Sequence, residues 1–409
     1  MYIADFHIHS KYSRATSKNM EVDEIVRWAK YKGINLIGTG DFTHFLWLSE
    51  LKEKLKETER FGIYTYNGVD FILTAEVCNI FEKKGKIKKI HNVIFLPSFD
   101  KVEKLNSILE RYGELNVDGR PVLQMEAKEL IKIVLEVDKD GFVVPAHIWT
   151  PHFSLFGSNS GFDRIEDCFE EYTDYIFALE TGLSSDPAMN WMLPSLDRFT
   201  LISNSDAHSP AKLGREANVF KNKFDFLKLK DILKNKDKNE FLFTIEYFPE
   251  EGKYHYDGHR HCKVCFSPEE SLKHNNICPV CGRKITIGVL HRVYQLSERK
   301  FGEKPPDYID YKKLVPLDQI IGFVIDKAPE SQVVKNEYLK IVNRIGSEFE
   351  ILLNIPEEEL YKNMERKVAQ GIVNVRKEKV KIQPGYDGEF GKIEILFDTE
   401  EDKEQQTLF

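Results

Sequence analysis

The chain has no run of about 18 uninterrupted apolar residues, the length a helix needs to span a bilayer, so no membrane span is expected. Nor has it an excess of positive charge. Its 58 Lys and Arg stand against 66 Asp and Glu, a net charge of -8. A global pull on nucleic acid is thereby excluded, and any such contact must use local patches. Cysteine is scarce, and four of the six fall in two Cys-x-x-Cys pairs. That pattern speaks against a disulfide framework and for metal in a reducing compartment. Cys78 and Cys168 read as plain core residues. The first residues show no basic-then-apolar leader, so the expected location is cytoplasmic. No internal repeat is present.

What the chain does have is a series of short apolar runs that meet a metal-binding residue type. The run from Ile3 leads into His7 and His9, that from Asn35 to Asp41, and that from Phe71 to Glu76. His91 opens a run, while the runs from Phe142 and Tyr175 end on His147 and Glu180. The run from Leu201 ends on Asp206 and His208. Barrels of parallel strands carry their chemistry at strand ends, so these residues converge on one site. His7 and His9, two apart on a strand, leave the same face. Asp206 and His208 repeat the arrangement with a carboxylate first.

Imidazole with carboxylate suits zinc, manganese or iron. Such ions lower the pKa of bound water from about 16 toward about 7, and paired ions can stabilise both oxygens of a displacement at phosphorus. Hydrolysis or phosphoryl transfer is the expected chemistry. Glu180 can act at the centre or orient a ligand histidine from behind.

Alternating strand and helix patterns imply parallel pairing with right-handed crossovers. The expected fold is α/β, a distorted seven-stranded barrel, with a small four-cysteine zinc module and a mainly helical C-terminal domain. The divisions are 1–250 for the catalytic barrel, 251–290 for the zinc module, 291–398 for the helical domain and 399–409 for a flexible tail. Helices are predicted over 21–32, stopped by Gly33, and over 46–61, 127–137, 336–349 and 357–370. Residues 221–254 read as a connecting region, and 392–397 as a strand.

Cys262-x-x-Cys265, twelve residues, then Cys278-x-x-Cys281 is a strong zinc signal. Two knuckles give four thiolates, tetrahedral zinc and no open position, hence a structural ion. His255, His259, His261 and His274 read as surface residues. Arg283, just beyond the second knuckle, and Lys88 and Lys89, just before His91, are basic enough to meet a phosphate backbone.

The order His7-x-His9, Asp41, Glu76, His91, Pro-Ala-His147 and Ser-Asp206-Ala-His208 resembles the motifs of the polymerase and histidinol phosphatase (PHP) superfamily. That resemblance implies a distorted seven-stranded barrel whose trinuclear metal site cleaves phosphoesters. One departure matters. The superfamily's second motif is usually Asp followed directly by His, whereas Phe42 follows Asp41 here and His44 lies three positions on. Either His44 takes that place or the ligand is lost, so two or three divalent metals (zinc, magnesium or manganese) are implied.

With the zinc module and helical region added, the layout resembles the endonuclease Q family nearly end to end. The resemblance implies a DNA repair endonuclease that nicks 5′ to deaminated bases (uracil, hypoxanthine) and abasic sites. Damaged DNA is then the partner, with His7, His9, Asp41, Glu76, His91, His147, Asp206 and His208 as ligands and Asp206, Glu180 and His44 as catalytic candidates. A lesion enzyme needs a pocket for an extruded base. Trp149, Phe153, Phe156 and Trp191 are aromatic candidates for it, and His152 for a phosphate contact.

The last five residues, Gln405-Gln406-Thr407-Leu408-Phe409, resemble the peptide by which repair proteins dock on sliding clamps. Gln405 is its polar anchor, and Leu408 and Phe409 are its apolar plugs. Two other readings compete, a small-molecule phosphatase like histidinol phosphatase and a non-catalytic zinc-stabilised DNA-binding protein.

Overall fold

Short runs rich in β-branched and aromatic residues form the strands. In the computed structural model, which describes residues 1–397, seven of them surround one buried cluster. Tyr2–Asp5, Leu36–Gly38 and Val69–Lys83 pair in parallel. Val69–Lys83 then turns back antiparallel into Lys86–Leu96, which pairs antiparallel with Phe142–Pro145. Ala178–Glu180 and Thr200–Ile202 form a parallel pair. They approach Tyr2–Asp5 through side chains: Asn204 Oδ1 accepts from Phe6 N, and Asn218 Nδ2 donates to both Asn204 Oδ1 and Ala4 O. This is the expected mixed α/β barrel, distorted at that seam.

The antiparallel hairpin departs from a strictly parallel repeat for a local reason. Lys84 and Gly85 both have positive φ, 52° and 72°, the geometry of a tight two-residue hairpin turn. Each of the seven strands contributes to the buried cluster, through Ala4, Leu36, Ile72, Val93, Phe142, Ala178 and Ile202. Phe95 stacks on Phe142 with centroids 4.4 Å apart. Glu76 shares the parity of Ile72 on its strand, so it leaves on the same inward face one end further along.

Val22–Lys32 is helical as its periodicity predicts, burying Val22, Ile25, Val26 and Ala29 and ending at Gly33 in the left-handed conformation. Ala127–Val137 matches its predicted span. The helix predicted over 46–61 stops at Lys54. The connecting region is structured: Phe226–Asn235, capped by Asp225, buries Phe226, Leu229, Ile232 and Leu233, and Phe241–Glu246 joins the sheet. Its Lys and Asp content hid a regular apolar face.

Beyond the cysteine module, the strand Asp310–Lys313 pairs in parallel with Phe241–Glu246, so the sheet reaches into the C-terminal region. The rest of that region is mainly helical, from Leu317–Ile325 to Arg366–Arg376. The helices predicted over 336–349 and 357–370 are each two. Ser347 and Glu350 form a capping box that starts a new helix after Gly346, and Met364 is extended between the second pair. No helix among the described residues is long and apolar enough to cross a membrane.

Candidate metal centre

Strand ends deliver most of the donors, but Glu76 and His91 sit mid-strand, because Val69–Lys83 and Lys86–Leu96 run on past the site as a long hairpin. Together they form two donor groups that share one carboxylate. His7, His9, Glu76 and Asp206 offer donor atoms all within 4.8 Å of one another, and so do Glu76, His91 and His147. Glu76 Oε2 lies 3.4 Å from His7 Nε2 and 3.2 Å from His9 Nε2. Its Oε1 lies 2.7 Å from His91 Nδ1 and 3.0 Å from His147 Nε2. Asp206 Oδ1 is 3.1 Å from His9 Nε2.

His7 Nε2, His9 Nε2 and Asp206 Oδ1 are buried without a hydrogen-bond partner. Three orphaned polar atoms facing one another would be costly in a purely structural cluster. They fit a divalent cation, for which imidazole and carboxylate are suitable donors.

A second layer fixes the rings. His7 Nδ1 meets Glu180 Oε1 at 3.0 Å, and Glu180 Oε2 accepts from His147 N at 2.7 Å. His9 Nδ1 lies 3.0 Å from Asp41 Oδ1. These contacts leave Nε2 of both rings directed at the centre, as outer carboxylates do around metal-bound histidines. Burial depresses the His91 imidazole to about 4. Against the cost of burial, His91 and His7 hold the Glu76 carboxyl well below the usual range.

Asp41, His147 and Asp206 all have positive φ, 46°, 29° and 47°. Such backbones cost on the order of 1–3 kcal/mol each and gather at functional sites. Gly182, at φ 65°, approaches His147 so closely that a Cβ there would meet its Cβ at 2.4 Å.

Asp41 and His44 fall outside both donor groups. The Asp41 oxygens are taken by His9, by Ser10 N and Oγ, and by Ser13 Oγ. His44 stacks on Tyr12 at 4.4 Å. His208 donates from Nδ1 to Asp206 O, with its ring 4.5 Å from that of His9.

Of the aromatic candidates, Trp149, Phe156 and Trp191 are buried, and Trp149 Nε1 donates to Asn190 Oδ1. Trp149 and Phe156 pack into the core, and Trp191 lines a separate cavity with Tyr308 and Lys236. Phe153 does reach the site, its ring 5.1 Å from His91 with Lys89 Nζ above it. His152 is exposed beside Asn159, and Lys88 bonds Gly161 O and lies over Phe162.

In the cysteine module the structure differs from the sequence pattern at one position. The group within 4.8 Å is His259, Cys262, Cys278 and Cys281, with Cys281 Sγ 3.6 Å from His259 Nδ1. Cys265 lies opposite Gly258 in a two-stranded ladder, its Sγ 4.0 Å from Pro384 O. Arg283 is exposed and its carbonyl accepts from Cys278 N. Gln405, Leu408 and Phe409 lie outside the described residues. The sequence reading also missed Arg120, which meets Glu76 Oε2 at 3.2 Å. It sits in an aperiodic loop that carries no motif.

Residues 316–379 match the family model of the MJ0043 C-terminal domain. The uncharacterized protein MJ0043 of Methanocaldococcus jannaschii is 36% identical over 272 residues, 63% of this chain, and the chain spans about a third (33%) of that relative's length. The lesion-specific endonuclease PfuEndoQ of Pyrococcus furiosus superposes with a TM-score of 0.86 at 33% identity. The match covers 99% of this chain and 98% of that one. Endonuclease Q bound to a 27-mer duplex with an abasic lesion at the active site matches at TM-score 0.83 and 33% identity, covering 98% and 97%.

Proposed function

This chain belongs to the endonuclease Q family, and we propose that it is a metal-dependent endonuclease acting on damaged DNA. Its lesions are deaminated bases (uracil, hypoxanthine) and abasic sites, and the cut falls on their 5′ side. The duplex held by a relative so similar over its whole length supports the substrate class.

In this reading His7, His9, Glu76 and Asp206 would hold one divalent ion, and Glu76, His91 and His147 would hold a second. The ions are zinc, magnesium or manganese, and His259 and the cysteines hold a structural zinc. Bound divalent ions supply an activated water at neutral pH and stabilise charge building at phosphorus.

The chain's own residues prepare that chemistry. Glu180 and Asp41 occupy the Nδ1 sides of His7 and His9, which fixes the rings before substrate arrives. Phe153, with Lys89 above it, offers an apolar face and a positive charge beside His91. An extruded base could stack there while the phosphate enters. The clamp-like peptide at Gln405, Leu408 and Phe409 adds a sliding clamp as a partner.

One observation carries the reading: three orphaned buried donors, on His7, His9 and Asp206, face a carboxylate shared with a second histidine pair. The test compares end-labelled duplexes bearing deoxyuridine, deoxyinosine, an abasic site or no lesion. Single nicks beside the lesions support it. Phosphate release from small phosphomonoesters without any nick would replace it with a phosphatase.

A further inference from the structure

Arg120 belongs to neither donor group, yet its guanidinium reaches their shared carboxylate. Nη1 lies 3.2 Å from Glu76 Oε2, the oxygen that also faces His7 and His9, and the side chain is 26% exposed. Glu76 Oε2 is its one side-chain acceptor among the described residues. The remaining N–H donors of the fork point to no protein acceptor there.

The backbone around it is pinned on all sides. Gly119 N donates to Tyr12 O at 3.1 Å, and Gly119 O accepts from Thr43 Oγ1 at 3.2 Å. Asp118 Oδ1 accepts from both Arg14 N and Arg120 N. Pro121 O accepts from Cys78 N, and the strand Val122–Leu123 runs parallel to Cys78 and Asn79, just beyond Glu76. Gly119 packs so tightly that a Cβ would meet Asp41 Oδ2 at 2.3 Å. The segment that carries Arg120 is therefore braced against the strand that carries Glu76 and against the loops of Tyr12 and Thr43.

Neutralising Glu76 does not account for this placement. Glu76 already faces four imidazoles, so a fifth partner adds little to its own satisfaction. The Arg120 guanidinium has other N–H groups that are not among the buried side-chain atoms lacking a partner, so they meet solvent and stay open to a ligand. Its planar fork matches tetrahedral oxyanions, which it can grip through two oxygens where an ammonium offers a point charge.

We infer that Arg120 is a phosphate-binding residue of this site. Its guanidinium takes a non-bridging oxygen of the scissile phosphodiester, aligns it over the donor cluster and stabilises the charge that gathers on that oxygen during cleavage. The inference rests on the nuclease reading above and adds a third source of positive charge to the two ion positions.

The test measures nicking of an abasic-site duplex by the intact protein and by Arg120→Ala, Arg120→Lys and Arg120→Gln, with metal content determined for each. Loss of one fixed oxyanion donor costs about 10²-fold. We expect kcat/KM to fall by about that factor in all three variants with bound metal unchanged, and added guanidinium ion to restore part of the rate of Arg120→Ala. A wild-type rate in Arg120→Ala overturns the inference, as does a loss that tracks loss of metal and is deaf to guanidinium. If the wild-type protein nicks no lesion duplex, the nuclease reading falls instead. Hydrolysis of bis(p-nitrophenyl) phosphate by wild type and Arg120→Ala then decides the role of Arg120 alone, equal rates overturning it.

Discussion

Glu76 Oε1 lies 2.7 Å from His91 Nδ1, on the other oxygen of the carboxylate from the one that faces His7 and His9. One side chain thus belongs to both donor groups. His91→Ala should remove one barrel ion and leave the other, whereas Glu76→Ala should deplete both. Metal counted per chain by elemental analysis checks this. Equal depletion in the two variants would contradict a shared bridge.

Glu180 touches no open face of the site; it holds His7 Nδ1 and His147 N. Outer partners of this kind typically affect metal affinity about 10- to 100-fold. Glu180→Gln should therefore weaken metal binding by about that factor, seen in titration of the chelated protein. Undiminished affinity with lost activity would move Glu180 into the reacting centre.

Much of this was legible in the residues. His7, His9, Glu76, His91, His147 and Asp206 could be read as convergent because each sits where an apolar run ends or begins, and strand ends of a barrel meet in space. What could not be read was the division of labour. Asp41 and Glu180 carry the same charge as Glu76 and, like it, follow an apolar run, but the serines around Asp41 and the seam beside Glu180 decide which carboxylate faces the centre. Trp149 and Phe156 looked available because sequence shows proximity along the chain and not burial. Arg120 was invisible, since its placement depends on contacts of its loop with Tyr12, Thr43 and Cys78, all distant in sequence.

The cysteine module makes a sharp prediction. With His259 inside the donor group and Cys265 outside it, Cys265→Ala should retain zinc and His259→Ala should lose it. Such small modules fold with their ion, so zinc release measured with a colorimetric chelator should rise only in the second variant. Retention by His259→Ala together with loss by Cys265→Ala would restore a four-cysteine site.

Burial pushes the Glu246 carboxyl from its usual 4.5 up to about 8. Over that interval the folded chain keeps a proton that the unfolded chain has released, so stability falls as pH rises. The contribution is fully present below about 4.5 and is lost as pH passes through about 8. Glu246→Gln cannot titrate, so wild-type stability relative to that variant should decline between those values in urea unfolding. A constant difference would contradict a protonated Glu246.

The most direct measurement is nick mapping on a duplex with one deoxyuridine, beside the undamaged duplex, using the wild-type protein and Asp206→Ala with magnesium, manganese or zinc. The account predicts a single nick 5′ to the lesion, a 3′-hydroxyl end, no cut in the undamaged duplex and no cut by the variant. Cleavage by Asp206→Ala at the wild-type rate, or equal cutting of damaged and undamaged DNA, would contradict it.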